Sequence, residues 1–266
     1  MKFGFLGLGN MAKAIIKGMV LSRKYVPRNI LGYTPRSEAS REFLRELGGT
    51  VCATLAEAAQ ADVLVLAVKP QIMPLLMEDL RAEPLSDKLT ISIAAGKDLE
   101  FLESSFGEGM AVVRVMSNIN AKIGASTSAF AANAHCSEEQ KIIVRDLFST
   151  VGSITELPEF QFSAFSAIAG ASPAFSYMYV DALARAAVKA GIPREKALEI
   201  AAGAVCGSAR MLLESREHPY ALIDQVCSPG GTTIEGICVL QALGFESAVH
   251  KAVEAAILKD RTLGGK

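Results

Sequence analysis

The sequence predicts an α/β protein in which a doubly wound parallel sheet comes first and an all-helical domain follows. Three observations carry this prediction. Short apolar runs alternate with helical periodicity through the first half of the chain, as successive βαβ units require. The run VLVLAV at 63–68 is apolar at every position, which suits a central parallel strand covered on both faces. After SITELPEFQ (153–161) the strand signals stop and only helical patterning remains. Pro158 and the change of pattern set a boundary near residue 158, giving domains 1–158 and 159–266.

Taken in order, KFGFLG (2–7) reads as a strand and NMAKAIIKGMVLS (10–22) as a helix, with Met11, Ile15 and Met19 at helical spacing. NILGY (29–33) is a second strand, and SEASREFLRELG (37–48) a helix closed by Gly48. TVCA (50–53) is a weaker strand, LAEAAQA (55–61) a short helix and DVLVLAV (62–68) the central strand. KLTISIAA (88–95) and MAVVRVM (110–116) repeat the strand pattern. In the second half, residues 163–191 form one long apolar helical region, interrupted near Gly170–Pro173 and ended by Gly191. Residues 193–215 open with Pro193 in the first turn of a helix, and 244–262 form an amphipathic one. Several of these helices are apolar on more than one face. Alone they would expose large apolar patches, so a homodimer or higher homo-oligomer with interleaved helices is expected.

The composition narrows the function. The chain has 266 residues, half of them apolar, with a net charge of −1. That length suits two domains with a sizeable core. Balanced charge argues against nucleic acid or an anionic membrane as partner, and the absence of Trp against a base-stacking surface. Cys52, Cys136, Cys206, Cys227 and Cys238 stand far apart, and His135, His218 and His250 have no ligand spacing, so no metal site is expected. An odd cysteine count fits a reducing cytoplasm. The start of the chain does not read as a signal peptide, and no apolar run reaches the length of a bilayer span.

At the first strand-to-helix turn stands GLGNMA, with Gly7, Gly9 and Ala12 in G-x-G-x-x-A spacing. Gly7 permits the tight turn, Gly9 lets a pyrophosphate approach the backbone, and Ala12 lets helix and strand pack closely. The helix start, with Asn10 and Met11, turns its amides toward an anion. This is the Rossmann-type dinucleotide site; the competing account is a glycine turn used only for packing. At the tip of the second strand, YTPRS offers Thr34, Arg36 and Ser37 and no acid. A guanidinium and two hydroxyls suit a 2′-phosphate, so NADP(H) is expected in preference to NAD(H), which stays possible. The strand ends AVKP (Ala67, Lys69, Pro70) and SIAAG (Ala94, Ala95, Gly96) line the ligand crevice of such a sheet, the small residues leaving room for a flat nicotinamide.

A second polar loop, VCSPGGTTIEG (226–236), separates two helical stretches. Pro229 donates no backbone hydrogen bond, Gly230 and Gly231 allow close approach, and Thr232, Thr233 and Ile234 begin a helix. Free amides supplemented by hydroxyls make an anion site suited to a small carboxylate. An elaborate N-cap is the competing account.

SPGGTTIEG, preceded by HPYALIDQV, resembles the signature of the pyrroline-5-carboxylate reductases. GFLGLGNMAKAI, AVKPQ, SIAAG and GIPREKA fit the same family, so the resemblance covers essentially the whole chain. Two segments depart from it. MSNIN (116–120) stands where the family carries an MPNTP-like stretch, and GASPAF (170–175) where it favours GSGPAY. The resemblance implies hydride transfer from NADPH to the C=N carbon of a cyclic imino acid, giving proline, at a site shared between one subunit's nucleotide domain and its partner's helical domain. It implies substrate carboxylate contacts at Ser228, Gly230, Gly231 and Thr232, a hydrogen bond from the ring nitrogen to Thr233, and a role for Asn118 beside the nicotinamide or the ring. A β-hydroxyacid dehydrogenase shares the GFLGLGNM start, but its lysine is missing from AGASPAFSYMYVDAL. Two further functions compete with proline synthesis: reduction of a related cyclic imino acid, and NADP(H) binding by a non-catalytic paralogue.

Overall fold

The computed structural model describes residues 1–107 and 109–263. Its first part alternates β1 (Phe3–Leu6), α1 (Asn10–Leu21), β2 (Ile30–Tyr33), α2 (Glu38–Glu46), β3 (Thr50–Val51), α3 (Leu55–Ala59), β4 (Val63–Leu66), α4 (Met73–Leu80), β5 (Leu89–Ser92), α5 (Leu99–Phe106) and β6 (Ala111–Met116). These six strands pair in parallel in the order β3-β2-β1-β4-β5-β6. The chain leaves β1 toward β2 on one side and returns to β4 on the other, so the topological switch point lies beside the end of β1.

The sheet is completed by β7 (Ser126–Ala132) and, after α6 (Glu138–Phe148), by β8 (Gly152–Glu156). β7 runs antiparallel to β6. The physical reason is the short connection over 117–125, built around a 3₁₀ turn at Ile119–Ile123. A parallel return needs a crossover of a dozen residues or more. With α6 as such a crossover, β8 is parallel to β7.

Strand alternation divides the core between the two faces of the sheet. Phe3, Phe5, Val63, Val65 and Ile91 join Ile15, Ile16 and Met19 of α1 and Val144 and Phe148 of α6. Leu6, Leu64, Leu66 and Val112 join Ala58 of α3, Met73, Leu76 and Leu80 of α4 and Leu102 of α5. Each fully buried large apolar side chain contributes about 1.5–3 kcal/mol, so this double-sided burial is what fixes the strand ends in space. α2 ends at Glu46 with Leu47 as its C-cap, and Gly48 follows in the left-handed region at φ +77°.

The second part is helical: α7 (Phe162–Phe165), α8 (Ser172–Lys189), α9 (Arg194–Ser215), α10 (Pro219–Val226), α11 (Thr232–Ala242) and α12 (Phe245–Leu263). The interruption expected near Gly170–Pro173 is a π-helical segment, Ser166–Ala171, through which the helix continues. Pro173 has no N–H for the carbonyl of Ala169 four residues earlier, and a widened turn accommodates the ring. Pro193 is the N-cap of α9 rather than a first-turn residue. The chain divides into two compact units, Met1–Gly170 with the residues from Ile257 onward, and Ala171–Ala256.

The second unit has almost no core of its own. Its buried side chains are Pro173, Ala184, Ala197 and Ala201. Met178 is 77 % exposed, Leu213 79 % and Leu243 80 %. Apolar area on this scale requires cover from another protein surface. Among the described residues, no helix is long and apolar enough to cross a membrane, and the five cysteines are free.

Candidate active site

The parallel strands deliver four loops to one edge of the sheet. Gly7, directly after β1, has φ +102°, and its N–H donates to Tyr33 O at 2.9 Å. A Cβ there would lie 2.7 Å from Ala67 O, so both the conformation and the space demand glycine. Gly9 is the N-cap of α1; a Cβ on it would meet only Ala67 O, at 3.9 Å, and its outer side is open. No side chain caps α1 and its first turn holds no acid. The orphan amides at Asn10 and Met11 therefore face an open position with a favourable dipole for an anion. Ala12 is buried against the sheet, as the fingerprint requires. A pyrophosphate fits this cradle in donor set and in space.

At the tip of β2, Thr34 is half-buried while Arg36 is exposed and has no partner among the described residues. Ser37 is engaged within the protein. It N-caps α2, its Oγ accepting from the Ser40 amide at 3.2 Å and donating to Ser40 Oγ at 2.9 Å. Sequence reasoning missed Arg41, whose Nε donates to Thr34 O and whose NH2 donates to Pro35 O, both at 3.0 Å. The Glu38–Arg41 spacing at i,i+3 could have flagged a helix pair, but backbone carbonyl partners leave no mark in a sequence.

After β4, the Ala67 amide donates to Leu6 O at 2.8 Å, holding this loop against the β1 turn; Lys69 is exposed and Pro70 half-buried. After β5, Ala94 packs its methyl into the core, whereas Ala95 and Gly96 are exposed, Gly96 at φ +71°. Ala94 can therefore offer a ligand its backbone only.

Asn118 is placed differently from a contact residue. It is 6 % exposed. Its Oδ1 accepts from the Asn120 amide at 3.1 Å, capping the 3₁₀ turn, and its Nδ2 donates to Ala169 O at 2.9 Å. That is the carbonyl from which Pro173 withholds an i+4 donor. Ser117, in the place of the family's first proline, joins a closed triangle of hydroxyls with Ser126 and Ser128 at 2.7, 2.9 and 3.1 Å. The Asn118 amide donates to Ser126 Oγ at 3.3 Å. The MSNIN loop is thus held by hydrogen bonds rather than by ring rigidity.

In the helical unit, the loop between α10 and α11 is a tight turn. The Gly231 amide donates to Ser228 O at 2.9 Å across Pro229 and Gly230, and Gly230 has φ +66°. Proline followed by a positive-φ glycine is the signature of a type II turn. A Cβ on Gly231 would lie 2.4 Å from Ser228 Oγ. This corrects one expectation: the Gly231 amide is engaged within the turn and is not a free donor. The donors left for an anion are the amide of Gly230 and those of the first turn of α11, at Thr232, Thr233 and Ile234. The N-cap of α11 is Gly231 and no side chain caps it, so the elaborate side-chain cap is not realised. Ser228, Thr232 and Thr233 are exposed. α2, α3, α5, α6 and α10 are each capped by a side chain, and α4, α7, α8 and α9 are not; α1 and α11 share an uncapped start with glycine at the N-cap.

A glycine turn and an uncapped helix start at the switch point of a Rossmann-type sheet, followed by a helical unit, is an architecture of the dinucleotide-dependent oxidoreductases. Residues 159–263 match the family described as pyrroline-5-carboxylate reductase dimerisation, and residues 2–96 the family described as NADP oxidoreductase, coenzyme F420-dependent. The pyrroline-5-carboxylate reductase of Escherichia coli K12 is 38 % identical over 263 residues, 98 % of each chain. Two solved structures are similar over the full length: a pyrroline-5-carboxylate reductase from Coxiella burnetii, with TM-score 0.93 and 30 % identity over 98 % of each chain, and a pyrroline carboxylate reductase from Plasmodium falciparum with NADP bound, with TM-score 0.87 and 30 % identity over 99 % of this chain and 98 % of that one. The chain belongs to the pyrroline-5-carboxylate reductase family.

Proposed function

We propose that the protein reduces 1-pyrroline-5-carboxylate to L-proline, with NADPH as its preferred reductant, as a homodimer. The single observation that carries this reading is the pairing of two helix starts with glycine at the N-cap and no side-chain cap, at α1 and α11, in a chain that belongs to this family. Bound NADPH supplies the hydride. Gly7, Gly9 and the amides of Asn10 and Met11 hold the pyrophosphate, and Ala67, Lys69, Pro70, Ala95 and Gly96 border the crevice.

The amides of Thr232, Thr233 and Ile234 and the hydroxyls of Ser228 and Thr232 hold the substrate carboxylate. Gly230 shapes the turn, and Gly231 closes it against Ser228. The protonated ring nitrogen donates a hydrogen bond to Thr233 Oγ1. Hydride then adds to the C=N carbon, the nitrogen keeps its proton, and the product is a secondary amine. No strong acid or base is needed, because protonation has already made the imine electrophilic; the protein's contribution is orientation and charge placement. Asn118 acts at one remove, as a positioning residue that ties the MSNIN loop to the π segment.

The uncovered helices of the second unit support burial against a second copy. Five unpaired cysteines support residence in the reducing cytoplasm.

The test follows NADPH absorbance on addition of pyrroline-5-carboxylate. Steady oxidation with proline as product is expected. Tight NADPH binding without turnover would establish the non-catalytic paralogue instead, and faster turnover of a related cyclic imino acid would reassign the substrate.

A further inference from the structure

We propose that Arg41, which touches no ligand in the reaction just described, is a positioning residue that sets the preference for NADPH over NADH. The inference rests on the reading that the adenosine 2′-phosphate lies at Thr34–Ser37. Arg41 sits one turn into α2 and reaches back over that loop. Its Nε donates to Thr34 O and its NH2 to Pro35 O, both at 3.0 Å, while NH1 donates to Glu38 Oε2 at 2.7 Å. Three of the five guanidinium N–H donors are thus committed to the loop backbone and to Glu38. Arg36 is exposed and unpartnered among the described residues, and Arg41 fixes the backbone on its N-terminal side. On its C-terminal side the Ser37 cap does the same.

Two physical effects follow from this geometry. Ordering a free loop residue costs conformational entropy, and a loop already held in place meets the phosphate without that cost. The second effect is electrostatic. Glu38 is an acid beside the phosphate position, where it would repel a 2′-phosphate. It is instead tied by Arg45 at 2.7 Å and by Arg41 at 2.7 Å, and Arg45 also takes Glu42 at 2.9 Å. Hydrogen bonds from Arg45 and then Arg41 hold the Glu38 carboxyl below its ordinary range, so it stays charged and paired. Glu38, Glu42, Arg41 and Arg45 cancel one another, leaving Arg36 as the net positive charge. Lysine cannot reproduce the arrangement, because an ammonium does not span two carbonyls and a carboxylate as a planar fork does.

The test is steady-state kinetics with both cofactors for the wild type, Arg36→Ala, Arg41→Gln and Arg41→Lys. Both Arg41 variants are expected to raise KM for NADPH about tenfold, with kcat within about twofold and KM for NADH raised less than about threefold. The inhibition constant of adenosine 2′,5′-bisphosphate should rise in parallel, and that of 5′-AMP should not. Exposed ion pairs contribute little to stability, so thermal denaturation should confirm that both variants fold. A Lys variant with the wild-type KM for NADPH would overturn the clamp, as would equal losses for the two cofactors or no loss at all. If Arg36→Ala itself weakens both cofactors alike, the location of the 2′-phosphate is wrong, and the role of Arg41 falls with it.

Discussion

Replacing Thr233 with Ala is expected to lower kcat about a hundredfold while changing folding stability by no more than about 0.5 kcal/mol. The separation follows from where the side chain sits. Thr233 lies in the first turn of α11, exposed, with no side-chain hydrogen bond among the described residues. Its removal breaks nothing that holds the turn, since the turn is closed by the Gly231 amide on Ser228 O. What would be lost is the acceptor that, in the proposed mechanism, keeps the ring nitrogen protonated and the C=N carbon aligned for hydride. A preorganised polar group at the reacting atoms has an effect of this size in enzymes generally. Thr233→Ser should retain most of the activity, because it keeps the oxygen. The measurement is kcat with saturating NADPH and imine, alongside urea unfolding. An alanine variant with full turnover removes Thr233 from the chemistry.

The second large effect is expected at Arg36. Arg36→Ala should raise KM for NADPH about ten- to a hundredfold, the range for losing a charge-assisted hydrogen bond to phosphate, and leave NADH nearly unaffected. The side chain is exposed and makes no bond within the described protein, so its loss has no route to the rest of the fold. Raising ionic strength should shrink the NADPH preference of the wild type and have little effect on the variant. Equal losses for both cofactors would refute the assignment.

Most of the sheet was legible because its signals are local. Residues 63–66 are apolar at every position, and the structure covers both faces of that strand. Gly7 and Gly9 could be read because backbone geometry permits no other residue at the first and leaves ligand space at the second. β7 gave no such signal. Ser126 and Ser128 are buried there because their hydroxyls satisfy one another and Ser117, which is a tertiary matter. Asn118 was visible as a polar residue beside the site, but its role depends on a carbonyl 51 residues away. Arg41 escaped for the same reason: its partners are main-chain oxygens, chosen by the path of the chain and not by any residue type. The SPGG turn was found by composition. Which of its amides are free required the Ser228–Gly231 bond, and no spacing argument supplies that.

The sparse interior of the segment from Ala171 to Ala256 has a thermodynamic consequence. A protomer that keeps four small side chains out of water there has little to hold those helices in place alone. Folding and association then become one second-order event, so the unfolding midpoint climbs as more protein is dissolved and falls on dilution.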